Sequence, residues 1–119
     1  MRVWIPVTAQ QISEFKESNI LDAAAGYAVT EDWAQSWDET DLEVLEAEIL
    51  QAAGTESRLV VVAECLAEIQ NSESGHIAIS NPIAKAQIQA IFAAKAAEPA
   101  DFLWFGPTEP EEALVWHSS

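Results

Sequence analysis

The run Leu59-Val60-Val61-Val62-Ala63 constrains the fold more than any other segment. β-Branched residues favour an extended chain. A strand with no polar alternation must also be covered on both faces. A sheet is therefore expected, with this strand inside it. Arg2 to Val7 supplies a second strand, with Val3, Ile5 and Val7 on one face and Arg2, Trp4 and Pro6 on the other. Pro6 has no N–H to give a ladder, so the pairing is expected to stop at Ile5.

Helix signals surround these strands. Thr8 with Gln11 is a capping-box pattern, opening a helix to about Ser18 with Ile12 and Phe15 inward. Leu21 to Ala25 can extend that helix, Gly26 breaks it, and Tyr27-Ala28-Val29 reads as a short strand. Thr30 to Ser36 reads as one or two helical turns carrying Trp33 and Trp37, four apart and on one face. Thr40 with Glu43 is a second capping box, and the helix from Asp41 to Ala53 places Leu42, Leu45, Ile49 and Ala52 on one stripe, with Gly54 as its stop.

Asn71 to Gly75 is turn chemistry. His76 to Ser80 alternates as a half-buried strand, expected to form a hairpin with the Arg58–Leu66 strand. Asn81-Pro82 is an N-cap followed by proline at the first helical position, predicting a helix to about Ala97, ended by Pro99. Asp101 to Phe105 reads as a last strand, and Glu109 to Trp116 as a short helical tail.

The order strand, helix, strand, strand, helix, strand is that of an α+β, ferredoxin-like (split βαβ) core. Residues 1–119 then form a single domain. About 19–53 is an acidic helical insertion in the first crossover, and about 107–119 an acidic C-terminal tail. The competing architecture is a five-stranded α/β layer in which Tyr27 to Val29 joins the sheet.

Charge narrows the function classes. The chain carries 20 Asp and Glu against 5 Lys and Arg, a net charge of -15. Phosphate neutralisation needs basic residues, so direct nucleic-acid binding is disfavoured, as is an anionic membrane surface. No apolar run approaches the roughly 20 residues of a membrane helix, and the opening residues do not read as a signal peptide. The single Cys65 makes no internal disulfide, which fits a cytoplasmic protein.

The opening Met1-Arg2-Val3-Trp4-Ile5-Pro6 resembles a family of small actinobacterial proteins catalogued as a domain of unknown function. The likeness continues at Tyr27-Ala28-Val29-Thr30, at Arg58 with Val60-Val61-Val62-Ala63, and at Leu103-Trp104-Phe105. A Val-His-Val-Asp-Asp run of that family falls here on Ile77-Ala78-Ile79-Ser80-Asn81, where the histidine and both carboxylates are missing. The resemblance implies a bacterial cytoplasmic protein, and no catalytic or metal role for that run in this chain. It supplies no activity, substrate or cofactor.

Between Glu17 and Ser57 lie eleven carboxylates and no Lys or Arg; the rest of the chain holds nine carboxylates and all five basic residues. Like charges at Glu39, Glu43 and Glu46 repel along one helix. Such a face suits a basic partner, which electrostatic steering would draw in; a merely solvated face is the plainer reading. Glu31, Asp32, Asp38, Glu39, Asp41, Glu43 and Glu46, with Trp33 and Trp37, are the candidate partner-binding residues.

Asp38-Glu39-Thr40-Asp41 is dense in oxygen but lacks the spacing of a calcium loop. Cys65 with His76 or His117 carries no nucleophile signature and too few ligands for zinc. The four glycines, at 26, 54, 75 and 106, make no phosphate loop. No catalytic, cofactor or metal residue is therefore assigned.

The five tryptophans, at 4, 33, 37, 104 and 116, read first as core. Trp4 and Trp104 or Phe105 fall on a sheet face that the insertion or a second subunit should cover. The expectation is a non-enzymatic interaction or regulatory module docking a basic protein. The alternatives are a small-ligand or enzymatic domain with a Trp-lined pocket, and a structural homodimer through the sheet face.

Overall fold

The computed structural model describes residues 1–95 and 101–119. The expected buried strand is β4 (Leu59–Glu64), with Leu59 to Ala63 buried throughout. It lies between β1 (Arg2–Pro6) and β8 (Ile88–Ala93), antiparallel to both. β3 (Ala25–Tyr27), β5 (Glu68–Asn71), β6 (His76–Ala78) and β9 (Leu103–Phe105) complete a seven-stranded sheet in the order β5-β6-β3-β1-β4-β8-β9. Every pairing in it is antiparallel. A separate ladder joins β2 (Ile20–Leu21) to β7 (Ile83–Ala84).

Helices cover both faces. On one side α1 (Ala9–Ser18) and α4 (Pro110–Ser118) pack Ile12, Phe15 and Ala113 against Val3, Ile5, Val61 and Ile91. On the other, α2 (Glu31–Ser36) and α3 (Leu42–Gly54) bring Trp33, Leu45, Ile49 and Ala53 onto Trp4, Tyr27, Val60 and Val62. The mixed α+β class stands.

The split βαβ order does not describe these pairings. In it a second crossover helix joins the third and fourth strands, whereas the chain between β4 and β8 holds only short strands and one 3₁₀ turn. The cause is the segment expected to be the second crossover helix. Pro82 is followed by β7, a 3₁₀ turn at Lys85–Gln87 and then β8. The β-branched Ile83, Ile88 and Ile91 fit a pleated surface, and β8 fills the free edge of β4, whose buried backbone groups need partners. That pairing outweighs the local cap signal at Asn81-Pro82. The expected helix end at Ala97 and Pro99 lies outside the described residues.

Other differences have local causes. His76 pairs with β5 and β3, not with β4; the four exposed residues of β5 show no apolar alternation to betray a strand. Asn19, in the left-handed conformation at φ 61, stops α1, so Leu21 enters β2 instead of extending a helix. Tyr27 joins the sheet, as in the competing architecture. β4 pairing continues past Ile5 to Pro6. Val7 N–H donates to Leu59 C=O at 2.9 Å and Cys65 N–H to Met1 C=O at 3.0 Å, so the odd positions of β1 bond β4. By alternation the Pro6 nitrogen faces the β3 side, and its missing N–H costs that ladder nothing.

The Thr8–Gln11 capping box forms in both directions, at 3.1 and 2.9 Å. The Thr40–Glu43 box does not. Asp41 caps α3 instead, accepting from Glu43 N–H at 3.0 Å, while Glu39 accepts from the N–H of Thr40 and Asp41. The C-terminal segment is a packed helix, with Ala113 fully buried and Lys16 Nζ 2.7 Å from Glu111. No helix among the described residues is long and apolar enough to cross a membrane.

Candidate functional site

The site begins where two strands part. β1 and β3 are paired only at Trp4 and Tyr27. Beyond Tyr27 the chain leaves β1: Ala28 N–H donates to Gly75 C=O at 2.8 Å, and Thr30 caps α2 through Trp33 N–H. The Thr30 hydroxyl also donates to Ser72 C=O, tying this turn to the β5–β6 loop. The wedge so opened is a cleft of about 520 Å³ lined by Arg2, Trp4, Val29, Glu31, Leu42, Glu46, Glu64 and Ile69 among others.

A second cleft of about 400 Å³ lies on the other flank of α3, against β8 and β9. Its walls are Ala47 and Leu50 of α3 and Val62, Ala90, Phe92 and Trp104 of the sheet. The two clefts share Arg2, Trp4 and Glu46. Their common floor is the buried Trp4 indole, and the Arg2–Glu46 ion pair at 2.8 Å stands between them. A third hollow, about 430 Å³, continues past Glu31 along Ala34, Gln35, Asp38, Glu39 and Thr40.

The rim is acidic and the flanks are apolar. Glu31, Glu46 and Glu64 face the first cleft against the single guanidinium of Arg2. The Met1 amino group lies 3.2 Å from Glu64. Large apolar side chains remain in water there: Leu42 is 56% exposed, Ile69 50% and Trp104 60%. Leu42 was expected on the inward stripe of its helix; it sits one position after the cap and overhangs the cleft instead.

The candidate residues separate into three groups. Glu31 lines the first cleft, Glu46 both clefts over Trp4, and Asp38 and Glu39 the third hollow. Asp32 accepts from the Ser72 hydroxyl at 2.5 Å and Asp41 is the α3 cap, so both are engaged within the fold; Glu43 is exposed beside them. Trp33 and Trp37 do lie together, their rings tilted by 50° with centroids 5.8 Å apart, but Trp33 is buried in the core and Trp37 is open to solvent. Arg2, Leu42, Glu64 and Ile69 were not legible as site residues; Trp104, expected on a covered sheet face, is left 60% exposed by the α2–α3 segment. The signal for Arg2 and Glu64 was the paired register of two strands, which a linear reading does not reveal.

Residues considered for catalysis do not converge. Cys65 and His76 lie on opposite sides of β3 and β1, roughly three strand spacings or about 14 Å apart. Burial, then the Glu64 carboxylate, raises the Cys65 thiol pKa, against the lowering pull of the amino terminus. His76 instead packs on Tyr27, with ring centroids 4.5 Å apart and planes tilted by 44°, and meets the Ser74 hydroxyl at 2.6 Å. His117 lies 2.9 Å from the Ala94 carbonyl. Among the described residues no group of three His, Cys, Asp or Glu side chains gathers as metal ligands.

The fold and site define an antiparallel sheet covered by helices on both faces, with an acid-rimmed groove beside α3. The chain belongs to a family of unknown function, DUF6912, whose model matches residues 1–103. No curated protein and no solved structure matches it.

Proposed function

We propose that the protein is a non-enzymatic interaction module that docks a basic segment of a partner protein along the groove beside α3. The observation that carries this reading is the pair of clefts meeting over Trp4, with three carboxylates on the first cleft's rim and apolar side chains left exposed at either end. Apolar contact supplies affinity and desolvation there. The carboxylates supply register and steering, helped by the net charge of -15. Nothing in this function calls for a cofactor or metal, and nucleic acid and membranes remain poor partners for so acidic a surface.

The test is binding of a fluorescent peptide alternating Leu and Arg, beside a version with citrulline in place of Arg. The arginine peptide should bind, and should weaken as salt is raised. Reversing Glu31, Glu46 and Glu64 to Lys should abolish binding, while reversing Glu109, Glu111 and Glu112, an equal change of charge, should weaken it only modestly. Equal loss in the two triple variants, or equal binding of the two peptides, would refute a site in the groove.

The second cleft favours one other reading, a small apolar ligand held by Trp4, Phe92 and Trp104. Quenching of tryptophan fluorescence by such a ligand, removed by Trp104→Ala, is its measurement.

A further inference from the structure

We infer that Arg2 is a built-in occupant of this groove, standing where an arginine of the partner docks between Glu46 and Glu64. The inference rests on the docking reading above and names the group that the groove selects. Arg2 and Glu64 are register partners across β1 and β4. Arg2 Nη1 donates to Glu46 Oε2 at 2.8 Å, and Arg2 Nε lies 4.0 Å from Glu64 Oε2. One guanidinium thus spans carboxylates from a helix and a strand. A planar fork can bond both at once, whereas an ammonium is a point charge with no such geometry. The groove therefore favours arginine over lysine.

The pair is also weakly held. The Arg2 side chain is 44% exposed and that of Glu46 26%, so water competes for both. An ion pair this exposed shifts its own open–closed balance by about fivefold at most. Displacing it joins the clefts of about 520 and 400 Å³ into one groove floored by Trp4. The occupant that fits is an extended segment with a central arginine and apolar neighbours, one reaching Leu42 and Ile69 and the other Phe92 and Trp104.

The test is a thermodynamic cycle on the full chain with the Leu–Arg and Leu–citrulline peptides. Arg2→Met keeps the aliphatic stem and removes the internal competitor. It should tighten the arginine peptide about two- to fivefold. In a Glu46→Gln background, where Arg2 has lost its 2.8 Å ion pair and keeps only Glu64 at 4.0 Å, the same substitution should give a clearly smaller gain. A lysine-for-arginine peptide should bind more weakly than the arginine one. If Arg2→Met fails to tighten binding, or tightens it equally in both backgrounds, Arg2 is no stand-in and the effect is one of general charge. That result leaves the docking reading in place. Failure of every variant to discriminate arginine from citrulline overturns both. Urea midpoints of the variants establish that each is folded.

Discussion

Gly26 shows how closely single residues are held beside the groove. A Cβ there would lie 2.7 Å from the Trp4 carbonyl oxygen and 3.3 Å from Ile5 Cα. Both are backbone atoms of a buried strand and cannot swing aside. Gly26→Ala should therefore cost about 1–3 kcal/mol, read as a fall in the urea midpoint. At Gly106 the closest atom is Glu109 Oε1 at 3.2 Å, the tip of a flexible side chain. Gly106→Ala should be several-fold milder, and equal losses would show that the β1–β3 approach is not the tight one. Tyr27, on the same strand as Gly26, has its hydroxyl pKa raised by burial first and the Glu56 carboxylate second. A raised value in the fold means a contribution present below the unfolded pKa, about 10, and lost as pH climbs through the folded one. Tyr27→Phe should lose stability less steeply than the parent above about pH 10, with unfolding midpoints across that range as the measurement.

At the scale of elements, the chain was readable where local chemistry settles the structure. Thr8 and Gln11 cap α1 by themselves, Thr30 caps α2, and the β-branched run of β4 carries its own burial pattern. β8 was not readable in this way. Ile88 and Ile91, three apart among alanines, fit a helical stripe as well as a strand, and what decides between them is pairing with residues some thirty positions away. The site was half legible for the same reason. Glu31 and Glu46 stand out as carboxylates, but Glu64 faces Arg2 only because two strands share a register. That register has a direct test. Val62 and Ala90 are partners on the α3 face, and opposed hydrogen-bonded residues stand about 5.5 Å apart at Cα, within disulfide reach. Val62→Cys with Ala90→Cys, in a Cys65→Ser background, should oxidise to an intramolecular bond measurable by mass after alkylation. Persistence of two free thiols in the folded, oxidised variant would contradict the β4–β8 pairing, as a helix over these residues would require.

Over the whole molecule, charge works in two directions. The basic residues are few, and four of the five are engaged: Arg2 with Glu46, Lys16 with Glu111, Arg58 with the Gly54 carbonyl at 3.0 Å, and Lys95 over the Trp116 ring at 4.4 Å. Little cationic charge remains to offset 20 carboxylates. Self-repulsion at a net charge of -15 should weaken the compact state at low ionic strength, and dissolved salt should relieve it. The unfolding temperature is thus expected to rise by several degrees between about 10 and about 200 mM sodium chloride, where the screening length falls from about 30 to below 8 Å. Binding of the arginine peptide should move the opposite way over the same range, because screening weakens attraction between unlike charges as it weakens repulsion between like ones. The two responses separate the uses of acidity. If stability rises with salt while binding is indifferent to it, the charge acts on the fold alone and the groove must select its occupant by apolar contact. If both respond with opposite signs, and the Glu31, Glu46 and Glu64 reversal removes the binding response while leaving much of the stability response, the groove carboxylates serve recognition and the remaining ones set the charge of the surface.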